Sequence, residues 1–299
     1  MALLNPPELR ASMMSIIVFY LAERRGQSDE VARIINAVSP PSLSESSQKL
    51  QLDARSNLAS AVEIGLAARE GDRIKLNSEC AKAASKGVSA IALVLRQRVL
   101  SEDLNAAPWG SQEGARDFTN ALAWFLTFSP SQAPARMEGE QPSAISLQEA
   151  DFGPRQSNDD ASGWPISNGT RWNAFQRWAC SLGFAWRSPA GRLVPDPTPA
   201  VRDSIPAIFQ DEATLDGRAF VTALGEQLPV LETGAYRRFV VHNWRRETRA
   251  SDALSTPTTD ALRRLEDTGH LTFEDRADAP RVNRADGSTF SHVSNGWLR

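Results

Sequence analysis

One pattern is written three times in this chain and limits what it can fold into: a helix stopped by glycine, a short strand, a polar turn and a second strand. Its first copy is "NLASAVEIGLAAREGDRIKL" at residues 57–76. Leu58, Ala61 and Val62 recur at helical spacing, Gly65 stops the helix, and the stretch to Leu76 alternates around Glu70-Gly71-Asp72. "AFQRWACSLGFAWRSPAGRLV" at 174–194 and "DALRRLEDTGHLTFEDRADAPRV" at 260–282 repeat it. In each copy a small or apolar residue (Ala61, Ala179, Leu265) stands four before the glycine.

Ahead of the first copy, helices are expected at 8–24 and at 28–38, the latter with Ser28 as N-cap. A polar stretch, "SPPSLSESSQK", leads to the repeat helix at about 52–64. Helix, helix, helix, hairpin is the order of a winged helix-turn-helix. A long amphipathic helix over 79–100 and another at 114–128 follow. Pro, Ser, Gln, Gly and Asp then dominate 129–169, which reads as a long loop with one short helix near 145–150. Helices at 216–228 and 234–249 precede the third copy, whose helix opens with Thr256 as N-cap and Pro257 at the first helical position.

The expected fold is therefore α+β, mainly helical, with tandem winged helix-turn-helix units. Residues 1–78 form an N-terminal winged helix. Residues 79–200 carry a helical linker and a second winged-helix-like unit with a disordered or loop insertion at 129–169, and 201–299 form a C-terminal winged helix. The repeats themselves fall at about 8–78, 115–194 and 215–295.

With 299 residues, 41% of them hydrophobic, the chain has ample material for such cores. Its two cysteines, Cys80 and Cys180, give no disulfide framework and suit a reducing compartment, so a cytoplasmic protein is expected. The apolar run at 11–22 is followed by Glu23-Arg24-Arg25 instead of a cleavage site, and it is too short to span a bilayer. It reads as a buried helix.

A net charge of −3 disfavours general nucleic-acid binding, which draws on phosphate neutralisation, so any DNA contact must be local. In a helix-turn-helix the last helix enters the major groove, and its face opposite the core stripe decides what it can read. In the first copy that face carries Asp53, Ser56, Ser60 and Glu63, which suits protein contact better than phosphate. In the second it carries Asn173, Gln176 and Arg177, types that pair with adenine and guanine edges. No acid lies between Asp160 and Asp196, while Arg171, Arg177, Arg187 and Arg192 do. The alternative use of these arginines is to cover the neighbouring tryptophans. In the third copy Asp260, Arg263, Arg264 and Asp267 face outward with cancelling signs, and Arg276, Arg281 and Arg284 follow on the hairpin. The preceding "YRRFVVHNWRRETR" adds Arg237, Arg238, Arg245, Arg246 and Arg249 as a phosphate-gripping stripe or a solvated helix face.

No catalytic constellation is legible. His242, His270 and His292 lack a second ligand at metal spacing, so neither a metal nor another cofactor is expected. No phosphate loop, nucleophile elbow or Cys-x-x-Cys occurs, and Asp159-Asp160 and Glu274-Asp275 read as solvated charges.

The opening "LLNPPEL", the apolar helix behind it and "SNLASAVEIGLAAREGDRIKL" resemble the DpdG family, over roughly the first 80 residues. These are accessory proteins of bacterial gene clusters that place 7-deazaguanine bases in DNA and restrict unmodified DNA. The resemblance implies a cytoplasmic bacterial protein working beside DNA-modifying and DNA-translocating partners, with no catalytic residue to carry over. The leading expectation is a non-enzymatic DNA-binding adaptor of a modification-restriction (anti-phage) system, with double-stranded DNA and other cluster proteins as partners and no membrane. A winged-helix transcriptional regulator, dimerising through 79–100, and a protein scaffold without DNA contact are the alternatives.

Overall fold

The computed structural model describes residues 2–5, 9–43, 47–109, 111, 113–139, 141–155, 163–245 and 253–296. Among them twelve α-helices predominate over ten short strands, so the fold is α+β and mainly helical. The strands form two three-stranded and two two-stranded sheets, all antiparallel. The chain divides into two compact units, Met1–Asp117 with Asn173–Leu182, and Phe118–Trp172 with Gly183–Arg299.

In the first unit, α1 (Ala11–Ala22) buries Met14, Ile17, Val18 and Leu21, as the apolar run requires. Ser28 is not an N-cap. Ser28–Glu30 form strand β1, and α2 (Val31–Val38) starts after it. β1 is held by its ladder to a later strand and by Asp29, whose Oδ2 accepts from Tyr20 Oη at 2.8 Å and whose Oδ1 accepts from Glu30 N at 2.8 Å. Burial opposes the Asp29 charge. The Tyr20 and Glu30 hydrogen bonds, with Arg33 and Arg24 nearby, outweigh it and hold the carboxyl below its ordinary value.

The repeat helix α3 (Ser47–Glu63) ends in a Schellman motif: Gly65 N donates to Val62 O at 3.0 Å and Leu66 N to Ala61 O at 2.9 Å. Gly65 sits at φ +83°, a conformation glycine reaches without strain. The chain then forms β2 (Ala67–Glu70) and β3 (Arg73–Leu76), and the sheet order is β1-β3-β2. The long helix expected over 79–100 is two helices, α4 (Ser78–Lys86) and α5 (Val88–Val99). Gly87, at φ +100°, ends the first and leads into the second.

The chain continues through α6 (Arg116–Phe125), α7 (Ala144–Phe152) and α8 (Gly169–Ser181), with unit boundaries inside α6 and α8. In the second unit, buried side chains anchor the described part of 129–169. Gln148 donates to Ile166 O and accepts from Ile166 N, both at 2.8 Å. Trp124 Nε1 donates to Asp151 Oδ2 and Trp164 Nε1 to Gly153 O, each at 2.9 Å. Strands β4 (Ala185–Arg187) and β5 (Leu193–Pro195) form a lone hairpin.

Then follow α9 (Thr198–Phe209), β6 (Thr214–Asp216), α10 (Gly217–Gln227), α11 (Ala235–His242) and α12 (Thr256–Asp267). α11 is shorter than the expected 234–249, and the N-cap of α12 is Ser255, one residue before the expected Thr256. Strands β7 (Leu271–Glu274), β8 (Val282–Asn283), β9 (Thr289–Phe290) and β10 (His292–Asn295) complete the chain order. The second three-stranded sheet runs β6-β10-β7. Its helix α12 closes with the same Schellman pair, Gly269 N to Glu266 O at 2.9 Å and His270 N to Leu265 O at 2.8 Å.

The arrangement helix, strand, helix, helix, strand, strand, with the last strand central, thus occurs twice. It is α1-β1-α2-α3-β2-β3, and again α9-β6-α10-α12-β7-β10 with α11 and the β8–β9 hairpin inserted. The second version begins at α9, upstream of residue 215, because α9 packs on both α10 and α12.

Asp29 makes acid sensitivity a test of the β1 anchor. A depressed carboxyl stabilises the fold above the unfolded pKa, and that contribution is lost as pH falls through the folded value. Tyr20→Phe removes a hydrogen bond to the charged form and moves the folded value back up. Urea midpoints should show wild type more stable at neutral pH, with the gap closing below about pH 4; a gap constant down to pH 3 would contradict this.

Candidate nucleic-acid interface

The expected reading face of the middle repeat is largely inside the protein. Phe175, Trp178, Ala179 and Leu182 on α8 are buried as the stripe requires. Arg171 and Gln176 are buried as well, at 4% and 7% exposure, Arg177 is half-buried, and Asn173 is exposed. The helix buries more than one face because Trp172 and Ala174, which flank the stripe on either side, are also covered. Trp178 is fixed further by its Nε1, which donates to Leu9 O at 3.1 Å within the first unit. Gln176 therefore presents no amide to a base edge, and Arg171 no free guanidinium to phosphate.

The hairpin after α8 is different. Trp186, Arg187 and Arg192 are all exposed. Ala185 pairs with Pro195, Trp186 with Val194 and Arg187 with Leu193, and Ser188 N donates to Arg192 O at 2.9 Å. The pleat puts Trp186, Val194 and Arg192 on one face and Arg187 with Leu193 on the other. Among the described residues, neither the Arg187 nor the Arg192 side chain has a hydrogen bond or ion pair. Trp186 escapes the repeat pattern because it shares strand parity with the buried Phe184, so alternation alone assigns it to the core.

The C-terminal arginines are mostly committed elsewhere. Arg237 is buried and its Nη1 donates to Ala123 O at 2.8 Å, so it is a core strut and not part of a surface stripe. Arg238 and Arg245 are exposed, and Arg246 and Arg249 lie outside the described residues. On α12, Arg263 and Arg264 face outward as expected. Arg263 is bound to Asp286, and Arg264 lies 2.7 Å from Asp196. The Arg263 hydrogen bond, with help from Ser288, holds the Asp286 carboxyl far below its ordinary value.

The hairpin arginines follow the same rule, Arg276 with Glu274 at 2.9 Å and Arg281 with Asp275 at 2.8 Å. Arg284 is buried over the Phe273 ring, 4.1 Å from its centroid, and pairs with Glu266 at 3.5 Å. Burial lowers its pKa. Exposed pairs add little stability, but they cancel the field that would attract phosphate.

On α3 the exposed stripe is Leu52, Arg55, Ala59 and Glu63. Ser60, expected outside, is buried, and the covered face includes Asn57, whose Oδ1 accepts from Arg10 N at 2.7 Å. Among the described residues no group of three or more His, Cys, Asp or Glu side chains could hold a metal ion, and no helix is long and apolar enough to cross a membrane. Asp159-Asp160 lie outside the described residues. An open groove of about 690 Å³ beside Arg218, Thr222, Glu232 and Asn283 has its acid already engaged, since Glu232 accepts from Ser255 Oγ at 2.6 Å.

A family model described as DpdG-like matches residues 1–279. The chain belongs to the DpdG-like family. The match runs from the N-terminus through β7 and so covers most of both compact units. Comparison with curated proteins and with solved structures returns no match.

In this DpdG-like chain the buried and exposed arginines of α11 should separate in a stability measurement. Arg237→Ala removes a charged hydrogen bond and buried stem packing and should cost about 2 kcal/mol in urea unfolding. Arg238→Ala should stay within about 0.5 kcal/mol. Equal effects would place Arg237 at the surface.

Proposed function

We propose that this protein is a non-enzymatic adaptor of a Dpd modification-restriction cluster, built on winged-helix units and contacting DNA through the β4–β5 hairpin. Membership of the DpdG-like family supports a place beside other Dpd cluster proteins. The twice-used order with the last strand central supports the winged-helix reading for 11–76 and 198–295. The observation that carries the DNA contact is local: Arg187 and Arg192 project from a small hairpin and, among the described residues, have no acid beside them, whereas Arg263, Arg264, Arg276 and Arg281 each hold one. In a chain of net charge −3 such an uncompensated pair is where phosphate would be drawn.

The exposed stripe of α3 favours a second contact, with protein. Leu52 is 62% exposed between mixed charges, a surface suited to a partner and not to a phosphate backbone. For the regulator alternative, residues 79–100 offer two shorter helices meeting at Gly87, α4 and α5, in place of one continuous dimerisation helix.

Fluorescence anisotropy on a short duplex over a salt series tests the DNA contact. Arg187→Ala and Arg192→Ala should each weaken binding regardless of sequence and reduce the salt slope by about one. Arg263→Ala and Arg264→Ala should leave the slope unchanged. A folded double variant at 187 and 192 that binds like wild type would move the contact elsewhere, and absence of wild-type binding would leave the protein-scaffold reading. Purified protein with magnesium should neither cut DNA nor hydrolyse nucleotides; turnover abolished by one acidic substitution would make it an enzyme.

A further inference from the structure

We infer that the β4–β5 hairpin carries a stacking platform for an unpaired DNA base, with Trp186 as the platform and Arg192 beside it as the phosphate contact. The inference rests on the proposed DNA contact and narrows it from duplex to single-stranded or locally opened DNA. Trp186 is 44% exposed, although it is among the residues with most to gain from burial. Register places it opposite the half-buried Val194, with Arg192 one diagonal step along the same face. Among the described residues no ring or cation packs on the indole, and Arg192 has no acid.

The ribbon tip is Ser188-Pro189-Ala190-Gly191, whose small side chains leave the approach to the indole open. An indole with an adjacent guanidinium on a two-stranded ribbon meets the two needs of single-strand binding: a π-face for any base and a cation for its phosphate. A closed duplex offers no free base face except at its ends. Arg187, on the opposite face, can hold neighbouring phosphate in either form.

The test uses the full chain, a fluorescein-labelled single strand of about 15 nucleotides and a blunt duplex of the same sequence. Trp186→Ala should weaken single-strand binding about tenfold and duplex binding less than twofold, and Trp186→Phe should restore most of the loss. Binding of the single strand should quench wild-type tryptophan fluorescence more than that of Trp186→Phe. Equal losses on both substrates, no loss on the single strand, or no single-strand binding by wild type would each overturn the platform. If Arg187→Ala and Arg192→Ala still weaken duplex binding in those cases, the proposed DNA contact stands without it. If no variant changes binding to either substrate, both fail.

Discussion

Insertion of the last strand between the other two is the constraint on which both three-stranded sheets depend. β3 hydrogen-bonds to β1 and β2, and β10 to β6 and β7, so neither outer strand has any other partner in its sheet. Ile74 and Leu76 on β3 and Val293 on β10 are buried under the helices, which fixes register, because a one-residue slip would turn these side chains outward. The Schellman turns at Gly65 and Gly269 serve the same end. They reverse the chain at a set angle, so that β2 and β7 start where the central strand can reach them.

This dependence explains what was legible in the sequence. The helix and glycine of each repeat and the hairpins of the first two are local features, and Ala61 and Leu265 are the residues whose carbonyls accept the Schellman bond from five residues on. In the third copy the strand expected near 282 pairs with β9, and β7 pairs instead with β10, beyond the inserted hairpin. The strands β1 and β6 are each three residues long, Ser28–Glu30 and Thr214–Asp216, with too few residues to display alternation. Their extended state is imposed by partners far along the chain, so Ser28 read as a helix cap. Gly87 carried a signal that helical periodicity on either side of it obscured.

The candidate site was legible only in part, and for a different reason. A stripe of period 3.6 identifies one buried face and leaves the others to be assumed exposed. On α8 that assumption fails for Gln176, and on α11 for Arg237, whose long side chain spans to a carbonyl of α6. Arg171, four before Phe175, lies on the buried stripe itself. Charge counting in sequence windows also misses pairing across the fold. Arg264 finds Asp196, and Arg263 finds Asp286, each on a different segment. Arg187 and Arg192 stay exposed and without a carboxylate partner among the described residues, because the window around them holds no acid and the fold brings none there.

The segment Asn173–Leu182 belongs with residues 1–117, and Trp178 reaches Leu9 across 169 positions. The two units are therefore interleaved along the polypeptide, which passes from one to the other three times. No single cut yields both intact. On the ribosome, the N-terminal helices emerge long before their unit can close its core, since the indole that anchors Leu9 is made after α6 and α7. α1 meets α2, α3, α4 and α5 as each is made, but the segment before it, at Leu9, must wait for an indole that has yet to be synthesised.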